Sequence, residues 1–174
     1  MVWGVVAIAV VIGGSALIVA IGARLPKEHV VSRKAVFNRQ PLEIWEVIAD
    51  IGNQASWRTD LQRVDRVPDR NGRPAWEETD RRGQTLTMET VQSLTPRRLV
   101  RRIADEDLDF GGSWTMEIGE YGEVTSLTIT ENGEIDNPVF RFVSRFITGQ
   151  SATIDEYLTA LGTKLGVEVT ITSG

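Results

Sequence analysis

The sequence predicts an α+β domain in which an antiparallel β-sheet of about seven strands curves around a long C-terminal helix. Short runs of alternating apolar and polar residues, separated by tight turns, fill the middle of the chain. Apolar residues at helical spacing flank that region, over residues 41–51 and again over residues 139–165. The chain has 174 residues, which is enough for one domain with its own core.

The elements follow one another in a clear order. Residues 29–37 form a β-rich run, and Pro41 then opens a helix that ends near Gly52, because proline suits the first turn and glycine suits the end. Asn71-Gly72 is a strong hairpin signal. The later strand candidates are residues 61–67, 74–80, 85–94, 98–104, 113–118 and 123–135.

The C-terminal helix is predicted from its cap and its broad apolar face. Asn137 is a good N-cap and Pro138 a good first-turn residue. The wide apolar face favours a helix clasped by a curved sheet. Gly149 either kinks this helix or divides it, and residues 167–172 fit either a strand or a loose terminus.

The first segment predicts one N-terminal transmembrane helix. Residues 2–23 carry no charge, and about 20 residues at a 1.5 Å rise cross a hydrocarbon core of roughly 30 Å. We assign residues 1–24 to the anchor and residues 25–28 to a linker. Because Arg24 and Lys27 follow the span, we expect a single-pass protein of the cell membrane with its soluble domain in the cytoplasm. A cleaved signal peptide is the alternative, since Ala20 and Ala23 stand near a possible cleavage point.

Several segments together carry a resemblance to a known family. They are residues 42–50, Trp57, residues 76–78, residues 111–115, residues 128–135 and residues 138–142. Taken with the order of elements, they make residues 29–166 resemble the START-related superfamily, also called SRPBCC or polyketide cyclase/dehydrase-like. The resemblance implies the helix-grip fold and leaves residues 167–174 as a tail. It does not imply one activity, because members include lipid carriers, hormone-binding proteins and cyclases.

Composition removes several classes of function. There is no cysteine, so disulfides, thiolate nucleophiles and cysteine-bound metals are excluded. The net charge of -5 argues against nucleic acid as a partner. The one histidine, His29, lies beside the linker, and we interpret it as an interfacial or strand-edge residue. We therefore expect no metal and no cofactor.

Period-2 alternation predicts charged residues among apolar neighbours on the inner face of the sheet. Glu78, Arg101 and Glu131 each alternate with apolar residues that face the same way. They hold the polar end of an apolar ligand, or form an internal ion pair, or are turned outward by a bulge. The aromatic candidates either line a cavity or fill the core. The candidate ligand-binding residues are Trp57, Trp76, Glu78, Met88, Arg101, Trp114, Met116, Glu131, Phe142 and Phe146.

These observations favour a membrane-tethered protein that binds or transports a hydrophobic small molecule or lipid in an internal cavity. No catalytic signature is evident, and the sequence identifies no protein partner. One alternative is an enzyme of cyclase or dehydratase type that uses a cavity carboxylate. The other is a protein-interaction module whose cavity is filled by its own side chains.

Overall fold

The chain folds into one antiparallel sheet with short helices on one of its faces. A computed structural model describes residue 15 and residues 17–121, 124–149 and 151–174. The elements are β1 (Glu28–Phe37), α1 (Pro41–Ala49), a 3₁₀ helix (Ile51–Ser56), β2 (Leu61–Arg70), β3 (Arg73–Asp80), β4 (Thr85–Leu94), β5 (Arg98–Ile103), β6 (Phe110–Tyr121), β7 (Val124–Ile135), α2 (Pro138–Val143), a π-helix (Ser144–Thr148), α3 (Ala152–Leu165) and β8 (Thr170–Ser173).

The sheet has eight strands in the order β2-β3-β4-β5-β6-β7-β1-β8, so the prediction of about seven strands is short by one. The additional strand, β8, pairs with β1, with Ala35 opposite Ile171. Its alternating residues cover the edge of β1, which is otherwise open to pairing with another chain. Residues 170–173 of the predicted tail therefore belong to the sheet.

The prediction of one long C-terminal helix is wrong, because the structure has two α-helices in its place. Gly149 has a φ of 77° and a ψ of 140°, which is not a helical conformation and which favours glycine. The π-helix separates α2 from that break. Of these two helices only α3 is packed into the core, with Ile154, Tyr157 and Leu161 buried, whereas α2 buries no residue.

The core lies between the helices and the inner face of the sheet. Apolar residues three or four apart on α1 and α3 meet inward residues of the long central strands, as the two periodicities require. Its fully buried members include Phe37, Ile44, Ile48, Leu127, Ile129, Ile154, Leu158 and Leu161. This packing holds one end of the sheet against α3 and leaves the other end for a cavity.

The predicted membrane segment, residues 2–23, lies largely outside the described residues. Residue 15 and residues 17–24 are helical. Within the part of the chain that the structure describes, no helix is both long enough and apolar enough to span a bilayer.

Gly112 allows strands β6 and β7 to approach each other closely. Its φ is 144°, and a Cβ atom there would lie 2.3 Å from the backbone oxygen of Asn132. We expect Gly112→Ala to lower the free energy of unfolding by about 1–3 kcal/mol, measured by denaturant titration. Gly111→Ala is the matched control, because nothing lies within 4 Å of its Cβ position. Equal losses in both variants would contradict this account.

Candidate functional site

A cavity of about 480 Å³ lies between the inner face of the sheet and α2. Most of its wall is apolar, as is usual for sites that take small organic ligands. The apolar wall includes Leu86, Met88, Ile103, Phe110, Trp114, Met116, Ile135, Phe140 and Val143. Polar groups are confined to a few positions on the sheet and at the helix ends, so the cavity has distinct polar points in an otherwise apolar wall.

Six of the ten candidate residues lie on this wall. They are Glu78, Met88, Arg101, Trp114, Met116 and Glu131. The other four lie elsewhere. The Trp57 ring packs edge-on against Tyr157, the Arg66 guanidinium lies 5.5 Å from the Trp76 ring centre, and the rings of Phe142 and Phe146 are 5.0 Å apart. Strand alternation thus predicted the inward-facing residues correctly. Of the aromatic candidates, Trp114 lies on the cavity wall and the others pack against neighbouring side chains.

Glu78 joins two buried arginines beneath the cavity wall. Its Oε2 accepts a hydrogen bond from Arg58 Nη1 at 3.1 Å, and its Oε1 accepts one from Arg101 Nη1. Arg58 also pairs with Asp60, with Nη2 and Oδ2 2.5 Å apart. Gln54 fixes Arg58 from the other side through its Oε1, at 3.1 Å. We call Arg58, Glu78 and Arg101 the buried triad.

The buried triad keeps Glu78 ionised. Burial acts to raise the pKa of Glu78, but the charges of Arg101 and Arg58 outweigh burial, so its pKa lies below the ordinary value of 4.5. Burial likewise acts to lower the pKa of Arg58, and the charges of Glu78 and Asp60 reverse that effect, so the pKa of Arg58 is raised. A carboxylate held in this way does not donate a proton near neutral pH.

Arg101 has more hydrogen-bond donors than the surrounding protein satisfies. It is 3% exposed, and among the described residues its Nε and Nη2 atoms have no acceptor. A buried donor without a partner costs about 1–3 kcal/mol. Arg101 is one of the residues that line the cavity, and a guanidinium group binds acidic and carbonyl oxygens well.

A second polar group lies across the wall from Arg101. Glu131 accepts a hydrogen bond from the indole nitrogen of Trp114 at 2.7 Å, and its other oxygen lies 3.2 Å from His29 Nε2. Arg101, Trp114 and Glu131 face one another in register across strands β5, β6 and β7. Neighbouring strands are about 4.8 Å apart, so the Arg101 and Glu131 backbones are separated by about 10 Å.

Tyr157 supports this wall from α3. Its ring packs edge-on against Trp57 and Trp114, with centroids 5.2 and 5.7 Å away, and Arg58 lies 5.3 Å from its centre. Its hydroxyl contacts Met116 Sδ at 3.9 Å. Burial raises the pKa of Tyr157 far above its ordinary value of 10.0, so the ring remains neutral. Tyr157 thus fixes the positions of two tryptophans.

Sequence reasoning missed three of these polar residues. Arg58 and Asp60 follow the 3₁₀ helix in an irregular stretch, where no periodicity indicates which way a side chain points. His29 was interpreted as a strand-edge or interfacial residue, but its side chain turns inward onto the wall. The only available signal was that His29 stands at the even spacing from Val31 that alternation requires.

We expect Glu78→Gln to destabilise the fold, because it leaves two buried arginine charges with less compensation. The expected loss in the free energy of unfolding is about 3 kcal/mol by denaturant titration. Glu77→Gln is the control, since Glu77 is the next residue on β3 and points to the opposite face. Its expected change is within about 0.5 kcal/mol. Similar losses in the two variants would show that the triad does not have this role.

The pH dependence of stability gives an independent measure of the same interaction. Because the folded-state pKa of Glu78 is below its ordinary value of 4.5, its contribution is complete above that value and is lost as the pH falls through the folded pKa. We expect wild type to lose stability more steeply than Glu78→Gln below about pH 4.5. Parallel profiles in acid would contradict the expectation.

The fold and the chain match known proteins at the level of family and architecture. A START superfamily protein from Mycobacterium smegmatis has a TM-score of 0.63 at 15% identity, covering 79% of this chain and 97% of that one. An aromatase/cyclase, Zhui, from Streptomyces sp. R1128 has a TM-score of 0.63 at 14% identity, covering 80% and 94%. Norcoclaurine synthase from Thalictrum flavum has a TM-score of 0.63 at 11% identity, covering 81% and 88%.

At these identities the three structures show a shared fold alone. No curated protein matches the sequence significantly. The sequence of residues 28–166 matches the family described as polyketide cyclase / dehydrase and lipid transport. That match spans every strand except β8 and all the helices of the domain. This chain belongs to the polyketide cyclase/dehydrase and lipid transport family.

Proposed function

We propose that this chain binds or transports a hydrophobic small molecule or lipid in its internal cavity, with an acidic or carbonyl oxygen of the ligand turned toward Arg101. The observation that carries the proposal is a buried arginine with two unpartnered donors on the wall of an apolar cavity of about 480 Å³. An apolar body fits the wall, and one charge-assisted hydrogen bond fixes its orientation.

The membrane is part of the same proposal. Residues 2–23 are uncharged and form the anchor, and residues 25–28 link it to the domain over residues 29–166. The position of Arg24 and Lys27 after this segment supports a cytoplasmic domain. A tether of this kind keeps the cavity in the layer where apolar metabolites are concentrated.

Cyclase or dehydratase chemistry is a second candidate, and the arrangement of Glu131 favours it over use of Glu78. Glu78 is fixed as an anion by two arginines, whereas Glu131 forms its hydrogen bonds with Trp114 and His29 in the part of the chain that the structure describes. In a dehydration, Glu131 would remove a proton next to a carbonyl while Arg101 stabilises the enolate oxygen. The β-hydroxyl then leaves as water with a proton from His29, and a carbon–carbon double bond forms.

The first experiment is native mass spectrometry of the full chain, followed by denaturing extraction. We expect a bound apolar compound that carries an acid or carbonyl group. Saturable uptake of cis-parinaric acid, a fluorescent fatty acid, provides the same test with a known probe. The mass of the unliganded chain alone, together with no saturable uptake of cis-parinaric acid, would refute the proposal. It would favour a protein-interaction module with a filled cavity.

A cavity-filling variant distinguishes internal binding from binding at the surface. Ile103 lies on the wall, and Ile103→Trp should lower the affinity for cis-parinaric acid by about tenfold or more, because the indole occupies ligand space. Val100→Trp is the control, since Val100 is on the same strand and points to the opposite face. Equal affinities of the two variants would place the fatty acid outside the cavity.

The dehydration candidate predicts that wild type and Glu131→Gln bind compounds of different mass. If Glu131 is the base, Glu131→Gln should retain a substrate that is heavier by one water than the compound extracted from wild type. Glu117→Gln is the control, because Glu117 is exposed on β6 and pairs with Arg98 at 2.6 Å. The same mass from all three proteins would remove the enzyme candidate and leave the binding proposal unaffected.

A further inference from the structure

An exposed apolar surface adjoins the cavity. Five exposed apolar side chains from the start of β6, α2 and the π-helix form it, and we call them the mouth surface. They are Phe110, Val139, Phe140, Phe146 and Ile147, with exposures of 38, 39, 52, 58 and 69%. Phe110 and Phe140 also line the cavity, so the mouth surface is continuous with its interior.

The helical part of the mouth surface has almost no packing of its own. Helix α2 reads PVFRFV and buries none of its residues, although four of the six are large and apolar. Soluble chains rarely expose contiguous apolar surface of this kind without a partner. In α3, by contrast, the apolar positions are buried against the sheet. Helix α2 therefore presents an apolar face that no described residue covers completely.

A cationic cleft adjoins the mouth surface. The cleft has a volume of about 290 Å³ between the linker and α2, and Lys27, Arg141 and Arg145 lie on its wall with one carboxylate, Glu28. Asp136 pairs with Lys27 at 2.5 Å. A basic patch next to an apolar one matches the surface of a bilayer with anionic headgroups, where each cation adds to the attraction.

The uncharged N-terminal segment ends against the same helix. Gly22 is buried, and a Cβ atom there would lie 1.9 Å from the backbone oxygen of Pro138. Arg141 Nη1 donates a hydrogen bond to the backbone oxygen of Leu25 at 2.8 Å. The described helical residues 17–24 therefore end against the start of α2, so a bilayer that held this uncharged segment would lie beside the mouth surface.

We propose that the mouth surface docks onto a lipid bilayer containing anionic lipids and that the cavity exchanges its apolar ligand directly with that bilayer. The exchange rests on the proposed ligand-binding function, whereas the docking does not. Phe146 and Ile147 enter the interfacial region, the cationic cleft meets lipid phosphates, and Phe110 and Phe140 line the passage from bilayer to cavity.

Docking is tested by the depth of single labels, because the chain has no cysteine of its own. The full chain carries a bimane fluorophore on Ile147→Cys or on Leu94→Cys, in phosphatidylcholine vesicles with phosphatidylglycerol and nitroxide-labelled lipid. Leu94 is 52% exposed and lies at the opposite end of β4 from the cavity residue Leu86, about 26 Å along the strand. We expect several-fold stronger quenching at Ile147. Equal quenching, or none at either site, would overturn the docking proposal.

Omitting the anionic lipid separates a bilayer from other occupants of the mouth surface. Quenching at Ile147 should fall in pure phosphatidylcholine vesicles and at high salt, because anionic headgroups are then absent or screened and attract the cleft less. A label at Ile147 that is already shielded without vesicles, in a chain that sediments as a dimer, would assign the surface to a second copy and contradict the proposal.

Ligand exchange is tested with Ile147→Glu and its control Leu94→Glu. Transfer of cis-parinaric acid from anionic vesicles should be about tenfold slower in Ile147→Glu, because a charge replaces an apolar contact with lipid. Binding from solution should be unchanged in both variants, since neither residue lines the cavity. Equal transfer rates would overturn direct exchange. If wild type does not bind cis-parinaric acid from solution, the ligand-binding proposal is refuted. The docking proposal is then tested by the quenching experiment alone.

Discussion

The burial of three charges beneath an apolar wall, with the half-buried Asp60 beside them, is the constraint on which the rest of this structure depends. Arg58, Arg101, Glu78 and Asp60 balance in charge, so the assembly avoids the large penalty of an isolated buried ion. The numbers of hydrogen-bond donors and acceptors, unlike the charges, are not equal. Arg58 is shared among Gln54, Asp60 and Glu78, while Arg101 binds one carboxylate oxygen and has two nitrogens without an acceptor among the described residues. Arg101 is also a residue of the cavity wall.

This arrangement explains why the inner face of the sheet tolerates polar residues at alternate positions. A cavity wall made wholly of apolar residues would offer a ligand volume but no fixed hydrogen-bonding point. Arg101 of the buried triad and Glu131, which contacts His29, keep hydrogen-bonding groups at fixed places whose backbones are about 10 Å apart. Trp114 lies between them on the intervening strand. The cavity thus has a polarity as well as a volume, and that polarity limits which apolar molecules fit it well.

The strand pattern made much of this wall predictable, and its limits have physical causes. Glu78, Arg101 and Glu131 stand in regular strands, where a period of two fixes the face of each side chain. Arg58 follows a 3₁₀ helix, so its role depends on the tertiary position of β3 and was invisible in the sequence. His29 was judged by its distance from the linker, whereas its contact with Glu131 depends on the pairing of β1 with β7.

The C-terminal helix shows a different limit. Its broad apolar face predicted a continuous helix gripped by the sheet, and residues 154–161 fulfil that expectation. Residues 138–147 have an equally apolar pattern, yet α2 buries nothing. Periodicity indicates which face of a helix is apolar but not what covers it, and Gly149 lets the two parts follow different directions.

Within a family that contains both carriers and cyclases, the protonation states of the cavity carboxylates separate the two functions. Binding needs only fixed donors and an apolar wall, and a permanently ionised Glu78 serves that purpose by holding Arg101 in place. Catalysis needs a group that gains and loses a proton during each cycle. Glu78 cannot do so while two arginines stabilise its anion, whereas Glu131 on the same wall is hydrogen-bonded to His29 and Trp114. The same scaffold can therefore support a carrier without any change in the buried triad, and an enzyme would differ first at β1 and β7.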